Sequence, residues 1–145
     1  MCLCRITSRK TSLLVLCLYR PPQSSKNGNT ITHFLKEFNE FASSVLATYT
    51  DKRLIILGDF NIHVNKTNDN NTQAFFQLLG TYGWQQHVEG RTHTSGNTLD
   101  LVITSDHSDL RITNVTTQNF ISDHAFVSFR VNIPPRGSRK NSNTC

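Results

Sequence analysis

The chain has 145 residues, a net charge of +5, 37% hydrophobic and 17% charged residues, seven glycines and four prolines. This excludes a collagen-like, wholly disordered or membrane-bundle protein, and the length fits one domain with a packed core. The positive charge sits at the ends: Arg5, Arg9 and Lys10 in residues 1–10 and Arg136, Arg139 and Lys140 in residues 134–145, with no acid in either stretch, leave residues 11–133 one charge negative. The presumed body has no bulk field to steer a polyanion, so nucleic-acid binding must be argued from particular residues.

Along the chain, residues 1–10 form a basic segment, and residues 12–19 are a continuous apolar run stopped by Pro21-Pro22, which suits a strand buried on both faces. From Ile31 the apolar residues Phe34, Leu35, Phe38, Phe41, Ala42, Val45, Leu46 and Tyr49 fall at helical spacing over five turns. Leu54 to Leu57 reads as a second buried strand. The polar stretch Asn65 to Thr72 separates it from a shorter amphipathic helix over Ala74 to Tyr82, ending near Gly83. Beyond Trp84 the period changes to two, and 98–104, 110–117 and 125–131 read as strands. Pro134-Pro135 ends the last of these, and residues 134–145 form a basic, disordered tail. The fold class is mixed α/β, with one domain over 11–133.

Cys2, Cys4, Cys17 and Cys145 match neither a zinc ribbon nor a paired disulfide framework and read as reduced thiols. The apolar run 13–19 follows basic residues as a signal peptide does, but Arg20-Pro21-Pro22 stands where small residues permit cleavage. The expected location is nuclear or cytoplasmic, without secretion.

Three constellations offer chemistry. Gly58-Asp59-Phe60-Asn61 follows the strand 54–57. Strand alternation would aim Asp59 and Asn61 to one face, with Phe60 anchoring the backbone from the other. An isolated Gly-Asp-x-Asn is equally an ordinary strand-to-turn transition, because Asp and Asn bond their own backbone. Ser122-Asp123-His124 stands at the mouth of the strand 125–131; three adjacent residues cannot form a Ser-His-Asp relay, and the sequence has no Gly-x-Ser-x-Gly elbow. Alone, that triplet also suits a turn. Asp100, between Leu99 and Leu101, needs a partner if buried. His124 is the natural one, since a carboxylate on one ring nitrogen fixes the tautomer and favours the charged ring. The alternatives are a backbone cap at a bulge, or an edge strand facing water.

Taken together, Tyr19-Arg20-Pro21-Pro22, Ile55-Ile56-Leu57-Gly58-Asp59-Phe60-Asn61-Ile62-His63, Gly96-Asn97-Thr98-Leu99-Asp100-Leu101-Val102-Ile103 and Ile121-Ser122-Asp123-His124-Ala125-Phe126-Val127 resemble the endonuclease/exonuclease/phosphatase superfamily. Over residues 11–132 the wording is most similar to the apurinic-type endonuclease domain of non-LTR (LINE-type) retrotransposons. The resemblance implies a four-layer α/β sandwich, two mainly antiparallel sheets face to face with outer helices, and a phosphodiester-cleaving site at the sheet edges. It gives Asp59 the role of orienting and deprotonating the attacking water, Asn61 that of holding the water and the phosphate, and Tyr19 that of contacting the phosphate. His124 would stabilise the transition-state charge, held by Asp100. Asp123 and Asp59 would contribute to a site for one or two Mg2+ or Mn2+ ions. DNA is the implied partner, with a reverse transcriptase domain in a full-length element and no membrane.

The family's principal metal ligand is a Glu preceded by an Asn, both ahead of the position of Tyr19. The glutamates of this chain, Glu37, Glu40 and Glu89, all lie after Tyr19. The chain therefore reads as the C-terminal part of the domain, its N-terminal half missing, with an incomplete ligand set and little or no nuclease activity expected. The apolar faces of 12–19 and 54–57 would then be partly uncovered. Two other functions fit the same residues: a non-catalytic relic binding nucleic acid or a protein partner, and a phosphoesterase acting on a small or lipid phosphoester. The loops 62–72 and 89–97 are the candidate surfaces for target choice.

Overall fold

A computed structural model describes residues 1–8, 11–24, 26, 28–49 and 53–135. In chain order it contains β1 (Cys2–Ser8), β2 (Thr11–Tyr19), α1 (Ile31–Thr48), β3 (Leu54–Asp59), α2 (Asn70–Thr81), β4 (Trp84–Gln86), β5 (Asp100–Ser105), β6 (Arg111–Phe120) and β7 (Ala125–Asn132). The first five strands that pair form one sheet in the order β1-β2-β3-β5-β4, and β6 and β7 form a separate two-stranded sheet. Among the described residues only β2 and β3 run parallel; every other pairing is antiparallel.

Alternation along the central strands assigns each residue to one of two cores. Leu14, Leu16, Leu18, Leu54, Ile56, Leu101 and Ile103 face the helices and meet Phe34, Phe38, Ala42 and Val45 of α1 and Phe75 and Leu79 of α2. Leu13, Ile55 and Val102 face the other way, where Leu110, Ile112, Val127, Phe129 and Val131 of the β6–β7 region cover them. The layers are thus helices, a large sheet and a small sheet, the two sheets face to face. Leu13 and Ile55 are buried, while Val15 and Leu57 on the same face are only partly covered.

Local signals set the helix starts. Thr30 caps α1 by accepting from the His33 N–H at 3.2 Å, and Asp69 caps α2 by accepting from the N–H groups of Asn71 and Thr72 at 2.9 and 3.0 Å. That cap places the start of α2 at Asn70, within the polar stretch expected to be a separator. β4 is too short for a periodic signal and exists through its pairing with β5. Residues 2–8, set apart in the sequence as a basic segment, pair along their whole length with β2 as an exposed edge strand. Arg9, Lys10 and residues 136–145 of the basic tail lie outside the described residues. Among the described residues no helix is long and apolar enough to cross a membrane.

Arg53 ties the layers together. Its guanidinium donates to Asp109 Oδ1 at 2.7 Å, to Thr11 Oγ1 at 2.7 Å and to the Pro134 carbonyl at 2.8 Å, joining the start of β2 to both flanks of the hairpin. Gly58 is required by proximity: its φ is +144°, and a Cβ there would lie 1.7 Å from the Leu18 carbonyl oxygen.

Candidate active site

The site grows from the C-terminal end of β3. Asp59 is the last residue of that strand and is paired in register with Asp100, the first residue of β5, on one side and with Tyr19, the last of β2, on the other. The chain then leaves the sheet. Phe60 is fully buried against Phe34, Phe38 and Phe75, and Asn61 takes a left-handed conformation with φ of 48°. The Asn61 backbone N–H donates to Asp59 Oδ1 at 3.0 Å and its side-chain amide donates to Asp59 Oδ2 at 3.1 Å. Strand alternation was expected to bring these two side chains together. The structure brings them together differently, because the strand stops at Asp59 and a turn closed by its carboxylate folds Asn61 back.

His124 stands immediately ahead of β7, the second strand of the small sheet. It forms a bridge with His93, and around it the Ala125 N–H donates to the Thr92 carbonyl and the Thr94 N–H to the Asp123 carbonyl, both at 2.8 Å. This backbone connection sets the imidazole against the edge of the large sheet. Its Nδ1 lies 2.8 Å from Asp100 Oδ2 and its Nε2 lies 3.9 Å from Asp59 Oδ2. Of the alternatives open for Asp100, the structure therefore realises the one that pairs it with His124.

The electrostatics follow from this placement. The hydrogen bond its ring donates to Asp100 holds His124 above its ordinary pKa, against a desolvation cost, and the charges of Asp100, Asp59 and Asp123 act in the same direction. Burial pushes the Asp59 carboxyl up, and Asp100 adds to this, while the Asn61 hydrogen bonds and His124 oppose it. Asp123 is exposed, and its own backbone N–H and the Ser122 hydroxyl hold its carboxyl below the usual range.

Asp59, Asn61, Asp100 and His124 form one connected group. Asp123 stands beside it, with Oδ2 3.5 Å from His93 Nε2. Tyr19 flanks Asp59 in register, but its side chain is 65% exposed and among the described residues makes no hydrogen bond to the group. Among the described residues two sets of side chains could hold a metal ion, Asp59 with Asp100 and His124, and His93 with Asp123 and His124; in each the ligand atoms lie within 4.8 Å of one another.

Three residues escaped the sequence reading. His93 stacks edge-on against His124 with ring centroids 4.9 Å apart. Thr92, fully buried, accepts from the N–H groups of both Leu99 and Asp100 at 2.8 and 3.0 Å and so fixes the entry to β5. Arg20 lies buried beneath the turn at Asn61. The signal for the first two was their place just ahead of Gly96-Asn97-Thr98-Leu99-Asp100; for Arg20 it was its place inside the Tyr-Arg-Pro-Pro motif.

Comparison with known proteins bears on the arrangement as a whole. No curated protein matches the sequence significantly. Solved structures of similar fold include the endonuclease domain of TRAS1, a telomere-specific non-LTR retrotransposon, with a TM-score of 0.71 and 20% identity. The match covers 88% of this chain and 59% of that one, so the chain spans about three fifths of the domain it resembles. Residues 13–128, which include most of β2, all of β3 and β5, the first half of β7 and the connected group at their edge, match the family model described as endonuclease-reverse transcriptase, and the chain belongs to that family.

Proposed function

We propose that the chain is a DNA endonuclease of retrotransposon origin that hydrolyses phosphodiesters with the help of a divalent metal ion. The observation that carries this reading is the 3.9 Å gap between Asp59 Oδ2 and His124 Nε2, each side chain being backed by its own partner, Asn61 or Asp100. A carboxylate and an imidazolium facing each other across such a gap supply the two things in-line phosphate hydrolysis asks of a protein: a base for water and a cationic donor for developing charge.

In this reading Asp59 orients the attacking water and takes its proton, and Asn61 holds that water and a phosphate oxygen through its amide. His124 donates to the phosphate as charge accumulates, while Asp100 keeps the ring charged and oriented. Tyr19 reaches the phosphate from its exposed position beside Asp59. The carboxylates fit a hard cation, Mg2+ or Mn2+: Asp59, in the set it shares with Asp100, and the exposed Asp123, in the set it shares with His93, would each offer oxygen, with water and substrate completing the shell. When bound, such an ion neutralises phosphate charge and makes water easier to deprotonate. Glu37 and Glu40 lie on α1 and belong to neither of the two sets. Two carboxylates are a sparse set, and we expect weak cleavage.

Nicking of supercoiled plasmid in Mg2+ tests the proposal. Slow nicking that stops in EDTA and drops on the order of 100-fold in Asp59→Ala or His124→Ala supports it. A folded chain that never nicks, or one that nicks equally well as Asp59→Ala, sinks it. Steep loss of rate with rising salt separates DNA from a small phosphoester, which contacts too few charges to show that slope.

A further inference from the structure

Arg20 is the least expected side chain near the site. Its N–H extends the β2–β3 ladder by donating to the Asp59 carbonyl at 2.8 Å, and its side chain then turns inward and is 4% exposed. There Nη1 donates to the carbonyl oxygens of Phe60 at 3.3 Å and Asn61 at 3.0 Å. The Arg20 carbonyl in turn accepts from the Asn61 side-chain amide at 2.7 Å, and the guanidinium lies over the Phe34 ring at 5.3 Å.

Two further donors, Nε and Nη2, are buried without an acceptor among the described residues. Burying a guanidinium with part of its fork unmatched is costly, and an apolar side chain of similar length would fill the same space without that cost. What Arg20 does that an apolar residue cannot is hold two successive carbonyls around a left-handed asparagine. Asn61 is thereby gripped from both ends: its carbonyl by the Arg20 side chain, its amide by the Arg20 backbone and by Asp59.

We propose that Arg20 is a positioning residue, a clamp that keeps Asn61 in its left-handed turn so that the Asn61 amide stays on Asp59. The inference rests on the endonuclease reading for its purpose, and on the hydrogen bonds alone for its geometry. Lysine keeps the charge and donors for both carbonyls but lacks the planar group that lies over Phe34, and methionine keeps only the length.

The test uses the full chain as Arg20→Met and Arg20→Lys, with two readouts. The first is the Asn61 side-chain amide followed by NMR hydrogen exchange, with the backbone amides of Leu79 and Ile103 as core controls. The second is the division of any loss of plasmid cleavage between kcat and KM. In Arg20→Met we expect the Asn61 amide to shift and lose its slow exchange while the core controls stay. We expect kcat to fall on the order of 10–100-fold with KM held within about twofold, and Arg20→Lys to lie in between. An unmoved Asn61 amide in both variants, or a loss carried wholly by KM, overturns the proposal. If Arg20→Met fails to fold, Arg20→Lys decides by the same readouts. If the native chain does not cleave, the endonuclease reading fails on its own, and the Asn61 amide still decides whether the clamp exists.

Discussion

Asp59 and Asp100 stand directly opposite each other across the antiparallel β3–β5 register, and the His124 imidazole lies against both carboxylates. Two like charges paired across strands repel. The imidazolium relieves this, and because it stands at the entry to β7 of the small sheet, the charge balance of the large sheet depends on how the two sheets dock.

A first prediction concerns that balance. In EDTA, Asp100→Asn should lower the His124 pKa toward the ordinary 6.5, read from the ring-proton chemical shift over a pH titration. The sign follows from a folded-state pKa raised above the unfolded one. The pairing stabilises fully below pH 6.5 and its contribution is lost as pH rises through the raised value. The stability difference between the native chain and Asp100→Asn should accordingly be largest in mildly acidic solution and shrink in alkali. A difference that grows with pH would show that His124 is neutral in the folded state.

A second concerns Thr92. Thr92→Val keeps shape but removes the acceptor for two buried N–H groups, those of Leu99 and Asp100. Urea unfolding should show a loss of about 1–3 kcal/mol for each group left unmatched. Thr92→Ser, which keeps the hydroxyl, should recover most of it. Equal stability of the valine variant would mean that the entry to β5 is held by something else.

A third concerns Gly58. Alanine at this position meets the Leu18 carbonyl oxygen and a φ of +144°, and neither strand can retreat without breaking the β2–β3 ladder. We expect Gly58→Ala to lose about 3 kcal/mol or more, or to fail to fold, as measured by thermal denaturation. A variant with unchanged melting would place Gly58 in a different backbone conformation.

A fourth concerns Phe60, fully buried among three other rings. Phe60→Ala should cost about 3–5 kcal/mol through the cavity it leaves. It should also release the turn at Asn61, visible as increased exchange of the Asn61 amides.

Much of this was legible in the sequence because apolar period is a local property. The stripe from Phe34 to Val45 and the runs 12–19, 54–57 and 98–104 each bury a face, and each became the element expected of it. The motif wording brought Asp59, Asn61, Asp100 and His124 to notice, and the structure sets them side by side. What stayed hidden was decided between elements. β1 is exposed at every residue and is a strand only because β2 offers it a ladder. α2 starts on polar residues, Asn70, Asn71 and Thr72, whose helical state depends on the Asp69 cap. Arg20, Thr92 and His93 act through main-chain groups distant in sequence, which no period reports.

The backbone connection at residues 92–94 and 123–125 has a consequence for how the chain can vary. Because Thr92 and His93 both donate to the Asn97 carbonyl, and Asn65 Oδ1 accepts from the Thr98 N–H, the loop is closed at its root before its tip begins. Ser95 stands at that tip, and its hydroxyl lies 2.7 Å from Nδ1 of His93, the ring that stacks against His124. Variation at the tip therefore reaches the chemistry through one imidazole, while the spacing of Asp100 and His124 is set at the root.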